Sequence, residues 1–294
     1  MSPLRYSLLF LPALCLADFS YQQTSKMTGG LLAGAAAMTP TETTVAVKGP
    51  RLVHATAKGS TIIDVQAQTI THTNNDNKTY YVTTFDEMRN LSGGKVGITD
   101  VKVDMKDGGN SKTLLGHETR DKVMTITSTV TDERSGAKID TVIHNDMYLA
   151  PGIAGTEELR DFYKKAVGLE WAQGGMPGMN RPEMVKALSE AYRSVGAIDG
   201  LPLLTVMTIN GGMPGMPQMS GADGAKMAGL AAILAKRRQQ QSGTPAQPDG
   251  APGALMQMTM EVTSYSDKPV DPALFKIPAD YKKTDPPSIH GGPR

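Results

Sequence analysis

The residues with the most distinctive chemistry in this chain are its methionines, eighteen in all. Met256, Met258 and Met260 alternate with Gln257, Thr259 and Glu261, and Val262 follows. Alternate residues of a strand share a face, so the three thioethers line one side. Leu203, Thr205, Met207 and Ile209 offer a second face of the same period. If these two strands pair, they form a flexible, polarizable apolar wall of the kind that adapts to varied apolar partners. Ordinary core packing is the other reading of the pattern. Met207, Met256, Met258 and Met260, with Phe162 and Tyr192 from two helices described below, form the candidate ligand-binding set. A second group sits in a short repeat. Gly-Gly-Met-Pro-Gly-Met at 174–179 recurs at 211–216. Thioethers suit Cu(I), which prefers soft ligands, so Met176, Met179, Met213 and Met216 are the candidate metal set.

Enzyme constellations are missing. There is no Gly-x-Ser-x-Gly elbow for an activated serine. His117-Glu118 begins like a zinc-protease helix, but Asp121 stands where the second His is needed. The sequence 104–110 is acidic and glycine-containing without calcium-loop spacing. The five histidines, at 54, 72, 117, 144 and 290, include no pair with helix-ligand spacing. A non-enzymatic protein without a cofactor is the expectation.

The elements that must position these residues are mostly strands. Period-two patterning rich in Thr, Val and Ile runs through 43–48, 51–57, 61–67, 68–73 and 78–83, and resumes at 101–105, 122–130 and 138–149. Gly49-Pro50, Gly59-Ser60 and the 74–77 Asn/Asp cluster supply turns. Nothing breaks the chain between Ala67 and Gln68, so one long strand is an alternative there. Phe85-Asp86-Glu87-Met88 reads as a helical turn. Two amphipathic helices follow. In the first, Thr156 is the expected cap and Leu159, Phe162, Tyr163, Ala166 and Val167 share a face. In the second, Asn180 caps and Val185, Leu188, Tyr192 and Val195 form the stripe. Two more strands, 201–210 and 255–265, flank a Gly/Met/Pro-rich insertion at 211–254.

Residues 1–17 look like a secretory leader: Arg5, an apolar run over 8–16, and small residues at Cys15 and Ala17 before a cut at Asp18. A lipidated Cys15 is the alternative. Cys15 is the only cysteine, so a chain cut after Ala17 has no thiol chemistry. The net charge of +1 gives no basic footprint for nucleic acid, and the leader's apolar run is too short to span a bilayer. The expected organisation is leader 1–17, one β-rich domain 18–283 and a tail 284–294, placed in the periplasm or outside the cell.

Several short motifs carry a family resemblance. Residues 21–28, the Lys48-Gly49 turn, Ile62-Ile63-Asp64, Lys78-Thr79-Tyr80 and Phe85-Asp86-Glu87-Met88 come in order, followed by Tyr148-Leu149-Ala150-Pro151 and Phe275-Lys276-Ile277-Pro278. Together they resemble a bacterial family of exported proteins of unknown function, similar in fold to the periplasmic lipoprotein carriers LolA and LolB. The resemblance implies an α+β fold, a curved antiparallel half-barrel sheet with two helices on its concave side. It implies no activity. With the methionine wall it leads to an expected role in binding a hydrophobic ligand: a lipid, an acyl chain, or an amphipathic segment such as that of a lipoprotein. Cu(I) binding through the Met-rich loops, or a purely structural module, are the alternatives.

Overall fold

Short turns convert the Thr- and Val-rich first half into a continuous meander. The computed structural model describes residues 18–29, 40–90, 96–132, 136, 138–166, 200–211 and 254–286. Strands β1 (Phe19–Gly29), β2 (Thr41–Lys48), β3 (Arg51–Thr56), β4 (Gly59–Asp64), β5 (Thr69–Asn74) and β6 (Thr79–Thr84) pair antiparallel in sequence order. The alternative of one strand across 61–73 is corrected. Asp64 Oδ1 accepts hydrogen bonds from the backbone N–H groups of Gln66 and Ala67, and Gln68 takes φ 55°, so a side-chain-stabilised turn separates β4 from β5. Helix α1 (Phe85–Asn90) starts at a reciprocal cap. Thr84 Oγ1 accepts from the Glu87 N–H at 3.1 Å, and Glu87 Oε2 accepts from the Thr84 N–H at 2.7 Å.

The second half is another meander. It comprises β7 (Val96–Leu114), β8 (His117–Asp132) and β9 (Lys138–Ala150), then helix α2 (Thr156–Lys165), β10 (Leu201–Gly211) and β11 (Ala254–Ser266). Strand β11 returns to pair with the free side of β1. Strand β12 (Lys282–Lys283) adds parallel to β6. The result is one open, mixed sheet in the order β12-β6-β5-β4-β3-β2-β1-β11-β10-β9-β8-β7.

This corrects the expected fold class. The described chain is mostly strand rather than α+β, the sheet is mixed rather than purely antiparallel, and of the expected pair of helices only the first falls among the described residues. Among the described residues only α1 and α2 are α-helical, and α2 is the one that packs on β1 and β2. The second expected helix, with Tyr192, lies outside the described residues. The physical reason is strand length. The stretch 96–132 folds into one long hairpin, because the Asp107-Gly108-Gly109-Asn110 segment is a bulge inside β7 and not a turn.

The sheet has a thick and a thin side. On the inner face, Phe19, Val45, Val47, Leu52, Ile63 and Ile70 are buried beneath Leu159 and Phe162 of α2. The residue at the α2 cap is Gly155 (φ 84°), not Thr156. A side chain there would meet the Phe19 ring at 2.9 Å, while Thr156 Oγ1 donates to the Ile153 carbonyl at 2.7 Å. On the outer face Ala46, Val53 and Ile62 are covered by Val270 and Phe275 from the 3-10 turn Pro272–Phe275. The Arg51 guanidinium sits 5.4 Å from the Phe275 ring centre. The buried Asp18 carboxylate ties this end together, accepting from Lys48 Nζ and, at 2.7 Å, from the Val270 N–H.

Phe162 is 2% exposed, so Phe162→Ala is expected to lower the unfolding free energy in denaturant titration by about 3–5 kcal/mol. A loss below about 1 kcal/mol, the range of surface substitutions, would show that α2 does not seal the inner face.

Candidate ligand-binding face

Strand register turns the inner face into rows running across the sheet. The first row, Phe19, Val47, Leu52, Ile63, Ile70 and Thr83, is fully buried. The next, Tyr21, Val45, His54, Thr61, His72 and Tyr81, is half-buried except for Val45. Beyond it, a shallow depression of about 370 Å³ is lined by both histidines together with Gln23, Thr43 and Ser60, among others. Thr61 Oγ1 lies 3.1 Å from His72 Nδ1. The His72 ring stacks on Tyr81 with centroids 4.8 Å apart. Burial pushes the His54 imidazole down to about 4 and lowers His72 as well, because a charged ring is poorly solvated there. The same burial raises the Tyr81 phenol. Neutral imidazoles therefore stand among hydroxyls at this end of the face, with Lys58 at the same depression.

The other wing is methionine-rich. Met27 of β1 pairs with Met258 of β11, Met258 with Met207 of β10, and Met207 with Asn145 of β9. Asn145 pairs with Met124 of β8, and Met124 with Met105 of β7. Five thioether side chains thus lie in one row across six strands, interrupted once by the buried Asn145. On one side of the row run Met256, Ile209, Ile143, Ile126 and Val103. On the other run Met260, Thr205 and Met147. Met124 and Met147 are buried, while Met27, Met105, Met207, Met256, Met258 and Met260 are half-buried.

A carboxylate pair occupies the opposite face. Asp121, 5% exposed, accepts from Asn110 Nδ2 at 3.0 Å through Oδ2, and its Oδ1 has no hydrogen-bond partner. The β7 bulge folds over it. At Gly108 a side chain would fall 2.0 Å from Oδ2, so only glycine admits the carboxylate there. Burial first, and the Asp121 charge second, raise the nearby Asp146 carboxyl, with His144 and Lys112 opposing. Among the described residues no group of three or more His, Cys, Asp or Glu side chains is arranged to hold a metal ion.

The sequence-derived residues divide into three groups. Met207, Met256, Met258 and Met260 come together on one face, in two paired strands. Phe162 is the part of α2 buried in the core and lines no open surface. Tyr192, Met176, Met179, Met213 and Met216 lie outside the described residues. Met27, Met105 and Met124 were missed, as was the His54–Tyr81 row. A signal for the row existed. The Gly59 turn and the Asp64 turn set the offsets that place His54, Thr61 and His72 side by side.

No protein-family model matches the chain, and no curated protein matches it.

The depressed His54 value makes a pH prediction. The unfolded chain takes up the proton near 6.5 and the folded one only near 4, so the folded state binds fewer protons in between. Stability is then full above pH 6.5 and falls as pH drops toward 4, by roughly 2–3 kcal/mol for this group. Denaturant titrations across this window are expected to show a shallower loss for His54→Gln than for the parent. Parallel losses would remove His54 as the cause.

Proposed function

We propose that the chain is a non-enzymatic binding protein of the cell envelope whose methionine face takes an apolar ligand, an acyl chain or the apolar side of an amphipathic segment. The observation that carries this reading is the row Met27, Met258, Met207, Met124 and Met105, in register and mostly half-buried. Six strands at ~4.8 Å spacing give the row a length of about 24 Å, enough for an extended acyl chain. Unbranched thioether side chains adjust to a ligand of variable shape. Placement in the envelope rests on the leader-like residues 1–17. Among the described residues no helix is long and apolar enough to cross a membrane.

A second reading has its own observation. Met27, Met258 and Met207 are direct neighbours on three adjacent strands, with Cβ atoms about 5 Å apart. Three neighbouring thioethers on one face suit Cu(I). Titration of Cu(I) against a chromogenic chelator separates the readings, since only the metal reading expects the chain to compete and Met258→Leu, which keeps the apolar bulk, to abolish competition.

For the first reading, a fluorescent fatty acid is expected to bind the purified chain. The double variant Met207→Gln/Met258→Gln should weaken it roughly tenfold to hundredfold, from the lost burial of two apolar side chains. An unchanged affinity in that folded variant, or no binding by the parent, would reject the methionine face as the site.

A further inference from the structure

The two ends of the sheet are built differently. At one end β12 is two residues long, and both, Lys282 and Lys283, are exposed, a blunted edge of the kind that discourages pairing. At the other end β7 runs for 19 residues and is paired, among the described residues, only with β8. That is far beyond the usual length of about 5–6 residues. Bulges interrupt it between Thr99 and Lys102 and between Asp107 and Ser111, leaving a regular segment between them.

The side chains of that segment alternate between charged and apolar. Asp100, Lys102, Asp104 and Lys106 are exposed. Opposite Lys102, Asp104 and Lys106 on β8 stand Thr127, Thr125 and Val123, none of them charged. Val101, Val103 and Met105 face the other way and pack against the apolar cluster that contains Met124, Ile126 and Ile143.

We propose that β7 is a self-recognition edge, where a second copy of the chain pairs antiparallel about a two-fold axis at Val103. The charge order selects that register. A centre at Lys102 sets Lys102 against its own copy and Asp100 against Asp104. A centre at Asp104 sets Asp104 against itself and Lys102 against Lys106. A centre at Val103 sets Lys102 of each copy against Asp104 of the other, and Asp100 of each against Lys106 of the other. Opposite charges directly across a strand pair stabilise it, and like charges destabilise it. On the inner face the same register sets Val103 against Val103 and Val101 against Met105, so the apolar cluster continues from one copy into the next. Asp100, at φ 54°, sits at the first bulge, so the Lys102–Asp104 contacts carry most of the selection. The inference stands on the edge alone and does not require the ligand reading above.

The test uses the full chain carrying Cys15→Ser, with its mass in solution followed against concentration. A dimer is expected. Lys102→Glu alone, or Asp104→Lys alone, turns both symmetry-related contacts repulsive and should weaken it by roughly tenfold or more. The double variant Lys102→Glu/Asp104→Lys restores opposite charges and should recover it. Under mild oxidation Val103→Cys should cross-link to itself. A parent chain that stays monomeric at every concentration, or a double variant no better than either single one while all remain folded by circular dichroism, overturns the proposal. A dimer that persists unchanged in both single variants and does not cross-link at position 103 overturns it too, placing the interface elsewhere.

Discussion

The hydrogen-bond ladder on both sides of β1 holds the molecule together. One side pairs with β2, its neighbour in sequence, and the other with β11, near the far end of the chain. Without the second ladder there would be two separate meanders, each with one more open edge. Both halves of the inner core meet at this seam, since Phe19 and Tyr21 of β1 pack in the same cluster as Val262 of β11 and Leu203 of β10. Closing so large a loop is entropically costly. The seam is anchored at the β1 end where Asp18 accepts from both Lys48 and the Val270 backbone, one partner from each half of the chain.

From the seam the inner face grades in two directions. Toward β6 the buried aliphatic row gives way to histidine, threonine and tyrosine. Toward β7 it gives way to methionine and isoleucine. Desolvation acts on both wings. It keeps His54 and His72 neutral, and it makes half-buried thioethers a favourable contact for apolar matter. A polar trough and an apolar strip therefore lie on the two sides of one core.

Within-strand chemistry was readable from the sequence, and between-strand placement was not. The alternation of Met256, Met258 and Met260 identified a face because two residues apart means the same side, and the matching period around Met207 identified its partner. Met27 joins that row only through the register of β1 on β11, which is set by contacts across most of the chain length. Met105 and Met124 join it only through β7 and β8, whose full extent was hidden. Gly108-Gly109 has turn composition, yet Gly109 (φ 80°) makes a bulge and the strand continues to Leu114. The α2 stripe was legible from its period. Its cap was not, because Gly155 is chosen for a close approach to Phe19 rather than for a side-chain hydrogen bond.

The register across the seam is most directly tested with methyl-labelled methionine and proton–proton cross-peaks in solution. Cross-peaks are expected from the Met258 methyl to those of Met27 and Met207, and none from Met258 to the Val206 or Thr208 methyls, which β10 turns to the opposite face. A slip of one residue in β11 would carry Met258 to the other side of the sheet. Missing contacts to both methionines, with contacts instead to outer-face residues, would contradict the seam and the surface built on it.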